Sequence, residues 1–454
     1  MPEALRGIDR ARLAAFVAAE SARYADARPR SRALASEGGA GYYAGVPMHW
    51  MLDWPLPFPM VVADAQGATL TDVDGLRLAD FCLGDTGSMF GHSPPPVLHA
   101  LAAQAGHGFT YMLPSAHSGA VGRLLRERFG LPHWQVATTA SDANRFALRV
   151  ARAVTGRPKV LVMNGCYHGA VDETYVELHE GRARNRPGLI GQFDDLTVGT
   201  RIVEFNDAAA LERELASGDV ACVITEPVLT NCCMVLPAAG YHAALRRLTR
   251  DTGSLLLIDE THTISTGPGG YTRAYGLEPD LFVLGKPIGG GIPASVWGFT
   301  DEIAGRWDTI RRTKPPGHSG LGTTLSANAL VMATMRATLE EVMTDAAYAR
   351  MERLAAQLAA GLAATVERHR LPWHVARVGA RVEFICAPGP LGNGTQAAAA
   401  HAPELEQALH LGLLNRLCLI APFHNMMLIC PATEPVQVER LVAAFAEVVA
   451  LLAA

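Results

Sequence analysis

Between about residues 95 and 340 the chain alternates two kinds of segment. One kind repeats its apolar positions every three or four residues: VLHALAAQ, AVGRLLRERF, ANRFALRVARAV, AALERELA and YHAALRRLTRD. Such spacing predicts amphipathic helices. The other kind is short and apolar throughout: KVLVMN, ACVITE, SLLLIDE and DLFVLGK. Apolar strands set between helices predict an α/β fold, with a mainly parallel sheet flanked by helices. Residues 61–81 alternate apolar and polar positions around turn residues and predict a hairpin. Before them, a helical start gives way to an irregular stretch, GVPMHWMLDWPLPFPM. After the alternating region, one helix is expected over Ser326 to Met343 and a second to about Arg370. A smaller α/β lobe follows in the order strand, strand, helix, strand, helix, with APGPLGNGTQAAAAHAPE as a loose connection. The expected division is an N-terminal segment of the small lobe (1–70), a large domain (71–335) and a C-terminal small domain (336–454).

The 454 residues suffice for two or three lobes, and 49% hydrophobic against 18% charged residues is a soluble globular balance. A net charge of −5 steers the chain toward neither nucleic acid nor an anionic membrane. No apolar run reaches the roughly 18–20 residues of a membrane span. The Arg-rich start could serve as a transit peptide, but Glu3, Asp9, Glu20 and Asp26 are residues such peptides avoid. It reads as a packed helix, and the protein as cytoplasmic. The eight cysteines show no CxxC pair and no metal-ligand spacing, so reduced buried thiols and no metal are expected. Of 39 basic residues only Lys159, Lys286 and Lys314 are lysines, which leaves lysine chemistry three places to occur.

The ends of the predicted strands carry polar groups, where open parallel sheets bind ligands. KVLVMN runs into Gly165, Cys166, Tyr167 and His168; ACVIT ends at Glu226; SLLLI ends at Asp259; DLFVLG ends at Lys286. Pyridoxal phosphate (PLP) asks for this set. It needs a lysine for a Schiff base and a carboxylate to keep its ring nitrogen protonated. It also needs a phosphate cup at a helix N-terminus, and Thr138 to Asp142 open a predicted helix with small residues and hydroxyls. Tyr167 can stack on the ring. Other readings compete. SLLLIDE also fits the magnesium-binding strand of ATPases, but those require GxxxxGK[ST], and Val or Pro follows each lysine here. Lys159 reads as a solvated strand start and Lys314 as a loop charge. Taken singly, Lys286 would be a surface lysine, and Tyr167 and His168 ordinary loop residues.

Taken together, the motifs resemble the class III aminotransferases, PLP enzymes of fold type I, in the flavour of glutamate-1-semialdehyde aminomutase and the β-phenylalanine aminotransferases. The resemblance spans roughly residues 60–345 well and the C-terminal lobe loosely. TTASDANRFALRVARAVTGRPK is similar to the family's NSGTEAN phosphate-cup helix and implies that Ala140 and Ser141 bind phosphate. Ala140 and Asp142 replace the family's Gly and Glu there, so the cup is slightly reshaped. GCYHG implies Tyr167 against the ring, with His168 beside it. EPVLTN is similar to EPVVGN and implies Asn231 near the ring hydroxyl and Glu226 in the site. LLLIDETHT is similar to LxFDEV and implies Asp259 on the ring nitrogen, with Thr261 replacing a Val on the ring face opposite Tyr167. LGKPIGGGIP implies Lys286 as the Schiff-base lysine. GTTLSANAL is similar to GTFSGNPLA and implies that Thr324 reaches the phosphate of a partner subunit in a homodimer.

The resemblance implies ping-pong amino transfer between an amine or amino acid and a carbonyl acceptor. The β-phenylalanine enzymes' two carboxylate-binding arginines fall at Trp50 and Phe423, neither of them basic. His49, Trp50, Trp54, Phe423 and His424 could form a roomy aromatic pocket, which would favour a bulky apolar substrate; they could equally pack the N-terminal segment. Asp85 stands where relatives carry an aromatic residue and is a further substrate candidate. An aminomutase of the glutamate-1-semialdehyde type, or a racemase, would use the same residues. A silent PLP-fold protein with a binding role is the reading from another class. The Lys286 assignment predicts that PLP added to the protein produces a visible absorption band, and that Lys286→Ala abolishes it.

Overall fold

The computed structural model describes residues 5–37, 41–317 and 319–453, so the first four residues of the expected N-terminal helix lie outside it. The chain forms two compact units. One comprises Pro95–Asp345 with Leu391–Ala399; the other comprises the chain up to Pro94, Ala346–Pro390, and the chain from Ala400 on.

The first unit is built on a seven-stranded sheet. Its order is His133–Ala137, Ser295–Phe299, Leu281–Leu284, Leu255–Asp259, Val220–Thr225, Lys159–Met163, Thr200–Val203. The pairings among Leu281–Leu284, Leu255–Asp259, Val220–Thr225, Lys159–Met163 and Thr200–Val203 are parallel. Val220–Thr225 and Leu281–Leu284 are buried at every position, as strands covered on both faces must be. Ser295–Phe299 runs antiparallel to both neighbours. The chain reverses before it through Gly289, Gly290 and Gly291. Gly290 has φ +69, and a Cβ there would lie 2.5 Å from Val97 Cγ2, so a larger residue does not fit the reversal.

The helix Ala140–Thr155 buries Ala143, Asn144, Phe146, Ala147, Leu148, Val150 and Ala151 on one face. Thr139 caps it by accepting a hydrogen bond from Asp142 N–H, and Gly156 in the left-handed region ends it. The helix expected from Ser326 instead starts at Ala329, capped by the Asn328 side chain, and passes through a π turn at Thr338–Val342. Ala327 has φ +55, which keeps the preceding residues out of the helix. The connection expected to be loose holds a helix, Gly394–Ala399. The Glu204 carboxylate accepts from the backbone N–H groups of Gly394 and Thr395 and so caps its first turn.

In the other unit, the stretch read as a hairpin is a three-stranded meander: Val62–Gln66, Thr69–Asp72 and Arg77–Asp80. Glycines turn the chain twice there, Gly67 at φ +55 and Gly75 at φ +87. Cys418–Leu419 adds a parallel fourth strand. A second, antiparallel sheet joins His374–Val378, Arg381–Ile385 and Met426–Leu428. The helix Arg10–Ala27 turns Leu13, Phe16, Glu20 and Tyr24 inward, and it packs on Pro403–Asn415. Buried Glu20 is matched there by Asn415 Nδ2 at 2.6 Å and Arg416 Nη1 at 3.0 Å. Seven of the eight cysteines are buried. Among the described residues no helix is long and apolar enough to cross a membrane.

Arg28 follows that first helix and is fully buried, its Nε 3.0 Å from Asp72 Oδ2 and its guanidinium over the Tyr24 ring. The other oxygen of Asp72 accepts from Asp74 and Leu76 N–H, which shapes the turn into the third strand. Removing one partner would strand a buried charge, at a cost of about 3–5 kcal/mol. Arg28→Met and Asp72→Asn are each expected to lower stability by that order in urea unfolding. The double variant should lose clearly less than the sum of the two.

Candidate active site

The parallel strands place Asn164, Glu226, Asp259 and Lys286 along one edge of the sheet, at or just beyond their carboxyl ends. Asp259 is 4% exposed. Its Oδ2 accepts from His168 Nδ1 and from Asn144 Nδ2, each at 2.9 Å, and its Oδ1 accepts from Thr261 N–H at 3.2 Å. Asn144 also donates to His168 O at 3.0 Å and so locks the loop that carries the histidine. Burial by itself would raise the acid's pKa, but the imidazole and the other donors outweigh it and hold Asp259 below the usual carboxylate range. Burial would likewise lower the His168 pKa. Cys166 and the Asp259 carboxylate more than offset this and raise it to about 10. The result is an anionic carboxylate, buried and fixed by three elements.

Glu260, the next residue, is different. It accepts from Tyr271 N–H at 2.5 Å and from Thr272 N–H at 3.1 Å, which anchors the turn Gly270–Ala274. Burial pushes its carboxyl up to about 7 despite those bonds.

At the start of the helix Ala140–Thr155 the packing is close. A Cβ on Gly285 would come within 2.6 Å of Ala140 Cβ, and one on Gly169 within 2.1 Å of Ser141 Oγ. Ser141 Oγ accepts from Ala170 N–H at 2.9 Å. The first backbone N–H groups of any helix lack intrahelical acceptors and carry its positive pole, so this terminus can take an anion. Lys286 follows Gly285 with φ +46, a left-handed conformation that costs a lysine energy. Its Nζ lies 2.8 Å from His262 Nε2.

The remaining residues singled out from the sequence are placed as follows. Tyr167 is 45% exposed, next to buried His168. Glu226 is buried and accepts from Thr230 Oγ1, with Asn231 Nδ2 at 3.4 and 3.5 Å from its two oxygens. Thr261 Oγ1 accepts from Gly285 N–H at 3.2 Å, so it ties the aspartate loop to the lysine strand. Thr324 is exposed. In the other unit, Trp50 and Phe423 meet edge to face with centroids 6.5 Å apart. His49 is exposed and Trp54 half-buried. His424 is buried, its Nδ1 3.9 Å from Glu383 Oε1. Asp85 has φ +48, within a run of left-handed residues from Leu83 to Thr86. The sequence reading missed Asn144 and His262. Asn144 had a signal, a polar residue on the buried face of an amphipathic helix; His262 had only its place next to the DET triplet.

This fits a cofactor with a cationic ring nitrogen, a phosphate and an aldehyde. The buried carboxylate suits the first, the helix N-terminus the second and the lysine the third.

Known proteins share the architecture. Residues 53–402 match the family model of the class-III aminotransferases. A glutamate-1-semialdehyde 2,1-aminomutase from Anaeromyxobacter sp. (strain Fw109-5) is 35% identical over 357 residues, 78% of this chain and 82% of the relative. The crystal structure of a glutamate-1-semialdehyde aminomutase from Pseudomonas aeruginosa PAO1 is 50% identical, with a TM-score of 0.96 over 98% of this chain and 99% of that one. A lysine-to-alanine variant of that protein was solved in complex with PMP. A β-phenylalanine aminotransferase from Variovorax paradoxus is 25% identical, with a TM-score of 0.85 over 96% of this chain and 97% of that one.

The His168–Asp259 pair carries a test by pH. With its pKa raised, His168 stabilises the fold fully below about 6.5, and that contribution fades as pH rises toward 10. With its pKa lowered, Asp259 stabilises above about 3.9, and that contribution fades as pH falls. In Asp259→Asn the His168 ring loses its counter-charge. Cys166 still raises its pKa there, so its NMR titration is expected to move down from the wild-type position toward the ordinary histidine range, and an unmoved titration would show that Asp259 does not set it.

Proposed function

Because the chain belongs to the class III aminotransferases, PLP enzymes of fold type I, we propose that it is an aminomutase of the glutamate-1-semialdehyde type, shifting an amino group between two carbons of one substrate. The observation that carries this reading is likeness over the full length: 50% identity across 98% of the chain to an aminomutase, against 25% to the β-phenylalanine aminotransferase. The sequence reading put transfer between two molecules first, with a bulky substrate; the comparisons favour its alternative. Trp50 and Phe423, in contact with each other, support the aminotransferase as the second reading.

Bound PLP supplies an aldehyde that condenses with amines and a ring that accepts the electron pair when a neighbouring C–H bond breaks. The chain's own residues set the rest. Asp259, kept anionic by His168 and Asn144, would hold the ring nitrogen protonated. The N–H groups of Ala140 and Ser141 would hold the phosphate, Tyr167 would cover a ring face, and Glu226, Asn231 and Thr261 would line the remainder. Lys286 Nζ would take a proton from the substrate carbon that bears the amino group and return one where the group arrives. Nothing in this residue set separates an aminomutase from an aminotransferase. The difference lies in whether the carbonyl product stays bound to receive the amino group back.

The same reading makes the chain a homodimer in which Thr324 reaches the partner's phosphate. Exposed Tyr111, Met112, Leu113 and Leu325 support it, since apolar side chains so far out of the core mark a surface that another chain covers.

With glutamate-1-semialdehyde as sole substrate, the PLP-loaded protein is expected to yield an isomer of unchanged mass, with the amino group moved between C2 and C1. Turnover that appears only after a second carbonyl compound is added would favour the aminotransferase. Chromatographic separation of the isomers coupled to mass spectrometry distinguishes the shifted isomer from unreacted substrate, and both from a transamination product of changed mass.

A further inference from the structure

Two bonds tie the ends of neighbouring strands together beside Lys286. Glu260 N–H donates to Val283 O at 2.9 Å, and Gly285 N–H donates to Thr261 Oγ1 at 3.2 Å. They hold the segment Glu260-Thr261-His262 against Gly285-Lys286. His262 is 4% exposed, and its Nε2 stands 2.8 Å from Lys286 Nζ, within proton-transfer distance. Lys286 keeps a left-handed backbone, φ +46, which its surroundings must hold in place, and this fixes the point from which its side chain departs. A histidine that merely filled space would not need to present a ring nitrogen to an amine.

We propose that His262 is a positioning residue and proton partner for Lys286, resting on the reading of Lys286 as the amine that binds the cofactor aldehyde. When Nζ attacks a carbonyl carbon, the nitrogen becomes a strongly acidic ammonium centre and must lose a proton. His262 Nε2 takes it: the N–H bond breaks, its electron pair stays on Nζ, and the ring becomes an imidazolium. The imidazolium then returns the proton to the oxygen, making it a hydroxyl, and a second transfer by the same route moves the remaining N–H proton to that hydroxyl as the C–O bond breaks. Overall, a C–N double bond forms, the carbonyl oxygen leaves as water with both amine hydrogens, and His262 ends neutral. Between attacks, the same hydrogen bond keeps Nζ oriented. A positioned base of this kind contributes about 10²–10⁴-fold to such a step.

The test follows the growth of the visible band when PLP is mixed with cofactor-free protein, which reads Schiff-base formation and needs no turnover. His262→Ala is expected to slow band growth at least about tenfold. Added imidazole should restore the rate in proportion to its concentration. A wild-type rate in His262→Ala, or a slow rate that imidazole does not change, overturns the proposal. His262→Gln keeps a polar group near Nζ without a base, and is expected to be slow with an unchanged melting temperature. A glutamine variant as fast as wild type overturns the proposal however the alanine variant folds. Lys286→Ala separates the two levels. If wild type and Lys286→Ala both lack the band, the cofactor reading fails and this inference with it. If wild type shows the band at the same rate with or without His262, only this inference fails.

Discussion

A carboxylate kept ionised inside the protein is the constraint on which the site depends. Removing Asp259 from water favours its neutral form, and a neutral acid could not hold a ring cation. The charge survives because His168 and Asn144 both point at one oxygen. They come from a loop after one strand and from the buried face of a helix, more than 90 residues away in the chain. The strand order of this sheet brings them together. Its parallel strands also place Glu226, Asp259 and Lys286 on a single edge.

Close packing does the rest. Gly285 and Gly169 let two loops touch the start of the helix Ala140–Thr155 where any side chain would collide. The helix pole, the lysine and the aspartate loop thereby share one small volume. Thr261 adds a hydroxyl bridge from the aspartate loop to the lysine strand. The other unit solves a separate problem, burying Arg28, Asp72 and Glu20 with full counter-charges. Each such pair must be matched by geometry, since an unmatched buried charge costs more than the pair returns.

The repeat of apolar strand and amphipathic helix identified the parallel sheet and its flanking helices, because burial on both faces leaves few positions for polar residues. The polar residues that do occur at strand ends stood out against that background, which is why Asp259, Lys286 and Glu226 were legible. The scarcity of lysine sharpened the choice to Lys286. Turns and boundaries were harder. The second glycine turn of the meander, the helix Gly394–Ala399 inside a Gly- and Pro-rich stretch, and the late start of the helix at Ala329 depend on single backbone angles and caps that periodicity does not report.

Chain order by itself therefore determined the fold class, the family and the chemical types present at the strand ends, since all three follow from local patterns of burial and motif. The tertiary structure alone decided which polar atoms meet. It put Asn144 rather than a neighbour on Asp259, turned Thr261 toward Gly285 N–H, buried His424 beside Glu383, and set His262 against Lys286. These are choices of a few tenths of an ångström and a few tens of degrees between residues distant in sequence. Hydrogen bonds are directional at that scale, and a pattern of apolar and polar positions is not.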